Sequence, residues 1–373
     1  MIAANGKNKI RYAVVGLGWF AQEAALPSFV HTENSELVAL VSDDPTKSEE
    51  LSKKYGINHT YSYEEYEDCL ASGEIDAVYI ALPNHLHCDY TVRAVNQAIH
   101  VLCEKPMAVT QEECETMIKA ANDNNVKLMI AYRLHLEEAN LQAVEIVRSK
   151  QIGEPRIFNS VFTQQVEEGN IRLRDATGGG TLYDIGIYCI NAARYLLQDE
   201  PIEVFAVAAN NGEERFREVE EMTSVILRFP NERLATFTCS FGGASVSTYQ
   251  IVGTQGDLRV EPAYAWQGEL KHYLTINGET QERTFEDRDQ LAAEFTYFSD
   301  CILQDKDPEP SGTEGLIDVN IIQALYESIE TGKPVQIQTP DRHQRPTLAQ
   351  TIERPPVEET PDLINAAAPS SES

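Results

Sequence analysis

The first third of the chain repeats one pattern: a short apolar run, an amphipathic stretch, then another apolar run. The runs are Ile10 to Val15, Glu36 to Val41, Ile75 to Leu82, His100 to Cys103 and Val126 to Tyr132, and segments of about ten to fifteen residues with helical spacing separate most of them. Val, Ile, Leu and Ala follow one another in these runs without in/out alternation, which is how a strand covered on both faces must look. The pattern predicts an α/β fold that opens with a doubly wound parallel sheet, over residues 8–135.

A helical stretch, Leu136 to Ser149, ends near Gly153-Glu154-Pro155, and the character then changes. Ile157 to Thr163, Glu203 to Ala209, Thr223 to Phe229, Leu234 to Ser240, Thr248 to Gly253, Asp257 to Glu261 and Tyr273 to Ile276 are β-rich, with turn signals such as Asn210-Asn211-Gly212 and Asn277-Gly278 between them. Helical stretches over Asp289 to Gln304 and Glu314 to Thr331 follow. Residues 136–339 are therefore expected to form an α+β domain with a large, mostly antiparallel open sheet, a common surface for pairing between copies. Residues 340–373 hold six prolines and end in Ala-Ala-Ala-Pro-Ser-Ser-Glu-Ser, a composition that predicts a disordered acidic tail.

Charge narrows the partners. Thirty Lys and Arg stand against 59 Asp and Glu, a net charge of −29 that repels phosphate backbones and anionic lipid surfaces. Nucleic acid and membranes are expected to be poor partners. The excess reads as a solubility or salt-adaptation trait, in keeping with only twelve lysines. No apolar run approaches the roughly 18 residues of a membrane span, and Met1 to Lys9 lacks the apolar core of an export signal, so a cytoplasmic protein is expected. Seven cysteines without a Cys-x-x-Cys pair indicate reduced thiols rather than a disulfide framework or a metal site.

Gly16-Leu17-Gly18-Trp19-Phe20-Ala21 follows the first run directly and opens a helix, so it is a G-x-G-x-x-A fingerprint in its required context. The first glycine permits the tight turn, the second lets backbone approach a pyrophosphate, and Ala21 keeps helix and strand close. Gly16, Leu17, Gly18, Trp19 and Phe20 are thus cofactor-binding candidates. The second run ends in Val41-Ser42-Asp43-Asp44-Pro45-Thr46-Lys47. Ser42 and Lys47 could bind a ribose 2′-phosphate, whereas an inward Asp43 would repel one. NADP is favoured, with NAD the alternative.

Two further strand ends fall at the carboxyl edge of the sheet, where doubly wound folds place ligands: Leu82-Pro83-Asn84-His85-Leu86-His87 and Cys103-Glu104-Lys105-Pro106. Leu82, Pro83, Asn84, His87, Glu104 and Lys105 join the cofactor candidates. A lysine between a buried strand and a proline turn is a costly place for a charge unless a ligand uses it. In the second half, Gly178-Gly179-Gly180 leads into an apolar helix on which Asp184, Tyr188 and Asn191, at i, i+4 and i+7, are expected to form one polar stripe. Asp184 needs a partner, and a cation such as Lys105 or a ligand hydroxyl is the natural one.

These motifs together resemble the glucose-fructose oxidoreductase, inositol dehydrogenase and MocA family over about residues 8 to 338: Gly16-Leu17-Gly18, Pro83-Asn84-His85-Leu86-His87, Glu104-Lys105-Pro106 and the Gly-Gly-Gly…Asp184-Ile185-Gly186-Ile187-Tyr188 segment. Tyr188, where inositol dehydrogenases have His, points to the branch of glucose-fructose oxidoreductase and NADP-dependent xylose dehydrogenases. The resemblance implies a Rossmann NADP-binding domain and a sugar or polyol substrate. It makes Lys105, Tyr188 and Asp184 catalytic, with Tyr188 taking the proton of a sugar hydroxyl while hydride leaves the same carbon for nicotinamide. Lys105 would stabilise the phenolate and hydrogen-bond the reacting oxygen, and Asp184 would orient substrate or Lys105. Arg133 matches a position near the cofactor, and Arg172 one near the substrate, which Lys105, Asp184 and Tyr188 would also touch. No metal is implied. The expected activity is oxidation of a xylose- or glucose-like aldose at its anomeric carbon, or the reverse. Aldose–ketose oxidoreduction with tightly held NADP and a non-catalytic dinucleotide-sensing regulator are the alternatives. A homodimer or homotetramer is expected.

Overall fold

The computed structural model describes residues 9–340, 345–358 and 361–370. Six strands, β1 Ile10–Val15, β2 Ser35–Val41, β3 His59–Tyr61, β4 Ala77–Ile80, β5 His100–Glu104 and β6 Leu128–Ala131, form a wholly parallel sheet in the order β3-β2-β1-β4-β5-β6. The order reverses between β1 and β4, which opens a crevice at their carboxyl ends. β4 and β6 are buried along their whole length, as uninterrupted apolar runs require. β3 was not expected, since His-Thr-Tyr at a half-buried edge carries no apolar run.

The second sheet has nine strands: β7 Pro155–Gln165, β8 Glu203–Ala209, β9 Met222–Phe229, β10 Arg233–Ser240, β11 Gly242–Gly253, β12 Gly256–Val260, β13 Leu270–Ile276, β14 Glu279–Phe285 and β15 Val335–Gln336. Their order is β14-β13-β12-β11-β7-β10-β9-β8-β15, antiparallel except where β10 runs parallel to β7. The helices Ile187–Leu197 and Gly312–Thr331 cover one face. The opposite face leaves Ile157, Val161, Val207, Ile226 and Leu234 exposed, and the pairing of Leu234 with Ile157 and of Thr236 with Ile226 puts them on one surface.

Two features depart from expectation. The helix Gln290–Leu303, expected with the second sheet, packs on the first: Phe295 meets the rings of Tyr12, Phe29 and Tyr79 at 5.5, 4.3 and 5.2 Å, and Ser299 hydrogen-bonds Tyr12 and Ser35. The crossover after β1 is short and irregular, a π turn over Ala21–Ala25 followed by three-residue pieces, so a later helix completes the cover of that face. The tail, expected to be unstructured, is held against the body at several described points. Arg345 donates to the Arg194 carbonyl and to Glu200, Ile352 N–H donates to the Leu136 carbonyl, and Ile352 and Ile364 pack on the core that holds Tyr12 and Phe295. The segment builds no core of its own; it borrows one.

Candidate active site

The glycine turn folds as its chemistry demands. Gly16 has φ +94°, and a Cβ there would stand 2.6 Å from the Ala81 carbonyl oxygen, so only glycine lets β1 and β4 diverge this closely. Gly18 is exposed, and a Cβ on it would meet nothing, which leaves backbone free to approach a pyrophosphate. Ala21 is buried. These observations fit a dinucleotide in the turn.

At the end of β2, Ser42 is nearly buried and its oxygen accepts from Asp44 N–H at 3.2 Å, leaving its own proton to donate. Asp43 turns away to accept from Tyr63 N–H at 2.7 Å. Asp44 caps the helix Pro45–Tyr55 through Thr46 and Lys47 N–H, and these bonds hold its carboxyl below the usual range. Neither carboxylate is therefore spent against the place where Ser42, Lys47 and Tyr63 line the cleft.

That cleft is a cavity of about 900 Å³ between the two sheets. It is lined by every candidate expected to hold cofactor or substrate: Gly16, Leu17, Gly18, Trp19, Phe20, Ser42, Lys47, Leu82, Pro83, Asn84, His87, Glu104, Lys105, Arg133, Arg172, Asp184 and Tyr188. Within it their work differs. Asn84 Nδ2 donates to the Gly178 carbonyl at 2.7 Å and joins the two halves. Gly178, at φ +74°, admits this approach, because a Cβ would stand 2.6 Å from a Val109 methyl carbon and 2.9 Å from Asn84 Cβ. His87 is fully buried, with one ring nitrogen 2.8 Å from the Pro106 carbonyl and the other 2.8 Å from that of Leu82. Burial pushes its pKa down, and a neutral ring donates to one of the two strand-end carbonyls while its other nitrogen faces the second.

Lys105 Nζ, largely buried, donates to the Asp184 carbonyl oxygen at 2.7 Å, lies 3.6 Å from the Asp184 carboxylate and stands 4.6 Å from the centre of the Tyr188 ring. Arg172 Nε donates to Asp184 at 2.8 Å and Gln164 Nε2 at 3.1 Å. Burial pushes Asp184 up, but Arg172 and Lys105 outweigh it and hold the carboxyl below its ordinary value. Glu104 accepts the Tyr79 hydroxyl at 2.6 Å, and burial raises its pKa against that bond and the Lys105 charge.

The Tyr188 ring lies in an aromatic nest, 5.7 Å from Phe162 and 5.9 Å from Tyr264, with the Arg133 guanidinium 5.1 Å from its centre. Arg133 is only 5% exposed, which separates it from an ordinary solvated arginine. It donates to the carbonyls of Tyr264 and Ala265 and to Gln290, so it braces the loop that carries Trp266. Trp266 meets Trp19 and Phe20 edge-on at 6.3 and 6.0 Å. Trp266, Tyr264, Gln164 and Tyr63 were not anticipated. Trp266 alone left a signal, as one of two tryptophans in the chain, the other being in the glycine turn.

The expected stripe of Asp184, Tyr188 and Asn191 is only partly formed. Leu182–Gly186 is a π turn that leads into the helix Ile187–Leu197; Asp184 and Tyr188 line the cleft, and Asn191 does not. Asn191 accepts from His135 at 2.7 Å and donates to Glu314 and Asp318, inside a buried cluster centred on Arg194. Among the described residues no helix is long and apolar enough to cross a membrane, and no group of three or more His, Cys, Asp or Glu is placed to hold a metal. The seven cysteines are free, six of them buried.

Residues 10–132 match the model of an oxidoreductase family with an NAD-binding Rossmann fold, and residues 140–259 match the GFO/IDH/MocA C-terminal domain. A D-xylose 1-dehydrogenase (NADP+) of Haloarcula marismortui is 36% identical over 88% of this chain and 94% of its own length. The crystal structure of an aldose–aldose oxidoreductase from Caulobacter crescentus, complexed with glycerol, superposes with a TM-score of 0.85 at 35% identity, over 88% of this chain and all of that one. A 3-ketoreductase of Actinomadura kijaniata, solved with NADP and TDP-benzene, gives 0.80 at 25% identity over 86% and 98% of the two chains. Since both halves match the family's models and one relative shares more than a third of its residues over nearly its whole length, the chain belongs to the Gfo/Idh/MocA family of oxidoreductases.

Proposed function

We propose that this protein is an NADP-dependent sugar oxidoreductase that interconverts an aldose, xylose- or glucose-like, and its lactone. The observation that carries the reading is the meeting of Lys105 from the nucleotide half with Asp184 and Tyr188 from the other half, on the wall of one cleft that also holds the glycine turn. The names of the Haloarcula and Caulobacter relatives support the substrate class.

NADP, when bound, supplies the hydride acceptor. Gly16, Leu17 and Gly18 would hold its pyrophosphate, and Ser42 with Lys47 its 2′-phosphate. The oxygen of Tyr188, as the phenolate, receives the proton of the sugar hydroxyl as the carbonyl forms and becomes the neutral phenol. In the reductive direction it gives that proton back, and the negative charge left on the oxygen is met by Lys105 and Arg133, two cations already fixed beside the ring, so little reorganisation accompanies the transfer. Asp184, kept ionised by Arg172 and Lys105, offers an acceptor to a sugar hydroxyl and holds Lys105 in place. The aromatic walls of Phe162, Tyr264 and Trp266 keep water from the reacting carbon.

We also place the protein in the cytoplasm, from its seven unpaired thiols. The exposed apolar face of the second sheet supports a homo-oligomer. The test of function is near-ultraviolet absorbance with NADP and NAD across aldoses, polyols and cyclitols. Turnover with an aldose and NADP is expected. No turnover with any of them would return the chain to a dinucleotide-sensing role.

A further inference from the structure

We propose that the segment Ile364 to Pro369 is the outer wall of the dinucleotide site and must lift for NADP to leave, so that this protein releases its cofactor slowly. The inference rests on the reading of the cleft as an NADP site. The segment is fixed at both ends to groups that this reading uses. Gln22, 1% exposed and one residue beyond the fingerprint alanine, donates to the Ile364 carbonyl at 2.9 Å and accepts from Ile364 N–H at 2.8 Å. The same side-chain nitrogen donates to the Leu17 carbonyl inside the glycine turn at 2.9 Å, so one amide ties the tail to the turn. Asn365 takes φ +46°, a left-handed conformation that asparagine tolerates better than most residues, and the chain bends there. Its side-chain amide donates at 3.0 Å to the Asp44 carboxylate, beside Ser42 and Lys47.

From that bend Ala366, Ala367 and Pro369 line the cleft. Their small or compact side chains let backbone lie close to whatever the cleft holds. The crossing ends where Glu167 N–H, in the loop after β7, donates to the Pro369 carbonyl at 3.0 Å. Within six residues the chain therefore passes from the nucleotide half to the substrate half across the mouth of the cavity. The anchors upstream at Arg345 and Ile352 keep the segment near its seat after each opening, so reclosure is intramolecular and release is governed by lifting.

The test uses the full chain loaded with NADPH and chased with excess NADP, release being followed by nicotinamide fluorescence. The double variant Ile364→Asp, Asn365→Ala should release NADPH at least about tenfold faster than the parent, and a chain ending at Pro361 should do the same, since interface changes act mainly on dissociation. Equal release rates in parent and variants would overturn the proposal. So would tighter binding with unaltered release, because the tail would then be a competitor for the site. A parent chain that binds no NADPH overturns the cofactor reading together with the strap. Binding with unchanged release removes the strap alone.

Discussion

Lys105→Met tests the electrostatic core of the site. The ammonium makes three contacts: a hydrogen bond to the Asp184 carbonyl at 2.7 Å, an ion pair at 3.6 Å with the Asp184 carboxylate, and a stacked approach to Tyr188 at 4.6 Å. The first two exist before any substrate arrives and bear on stability. A hydrogen bond from a charged donor is worth about 1.5–3 kcal/mol, offset by relief of a cation that is costly to bury. Arg172 still neutralises Asp184 in the variant, so the fold should lose no more than about 2 kcal/mol. In the reductive direction, where Tyr188 gives up its proton, the third contact gains strength only as negative charge develops on the phenol oxygen, and such an interaction lowers the barrier itself. Removal of one preorganised donor of this kind costs roughly 10²–10³ in the rate of the chemical step, or about 2.7–4 kcal/mol. Single-turnover rates of NADPH oxidation by the carbonyl substrate, with cofactor affinity by fluorescence titration, separate the two effects. A single-turnover rate within about threefold of the parent, with cofactor still bound, would refute the reasoning. Lys105→Arg should restore stability better than rate, because a planar fork cannot reproduce a point charge over the ring.

Three further outcomes are expected. Lys47→Ala should weaken NADP binding by about tenfold and leave NAD unchanged, read by titration with each nucleotide, since only NADP brings a 2′-phosphate to that ammonium. Asp184→Asn should cost stability at neutral pH, but the deficit should shrink in acid. The native carboxyl titrates below its unfolded value, so its contribution is complete above about pH 4 and is lost as pH falls through the folded value; urea melts at pH 7 and below pH 4 check this. Arg194→Met should destabilise the fold by about 3–5 kcal/mol in urea denaturation, because Glu314 and Asp318 lose their shared cation deep in the interior.

Where burial is symmetrical the sequence was readable. β1, β2, β4, β5 and β6 are apolar runs because helices cover both their faces, and the glycine turn announces itself by position. Edge elements were hidden for the opposite reason. β3 is His-Thr-Tyr at the rim, and β14, Glu-Thr-Gln-Glu-Arg-Thr-Phe, is exposed at every residue but Phe285, although the Asn277-Gly278 turn before it was plain. At the site, Lys105, Asp184 and Tyr188 could be picked out by type and spacing, but the buried partners that draw Asn191 away from them, His135, Glu314 and Asp318, are far off in sequence and leave no local signature. Gln164 reaches the cleft through the register of β7, and Tyr264 and Trp266 reach it from the loop between β12 and β13, placements that no short motif encodes. The tail misled because its composition speaks only of what it can bury by itself, and Gln22, Leu136 and Glu167 supply partners from elsewhere in the fold.

The most direct measurement is a single turnover of Tyr188→Phe, in which sugar and excess NADP are mixed and NADPH formation is followed alongside cofactor affinity. The ring and its two facing cations persist in the variant while the proton acceptor is gone. The account predicts that NADPH formation slows by roughly 10²–10⁴ with NADP affinity within about twofold of the parent. Formation at the parent rate would contradict it.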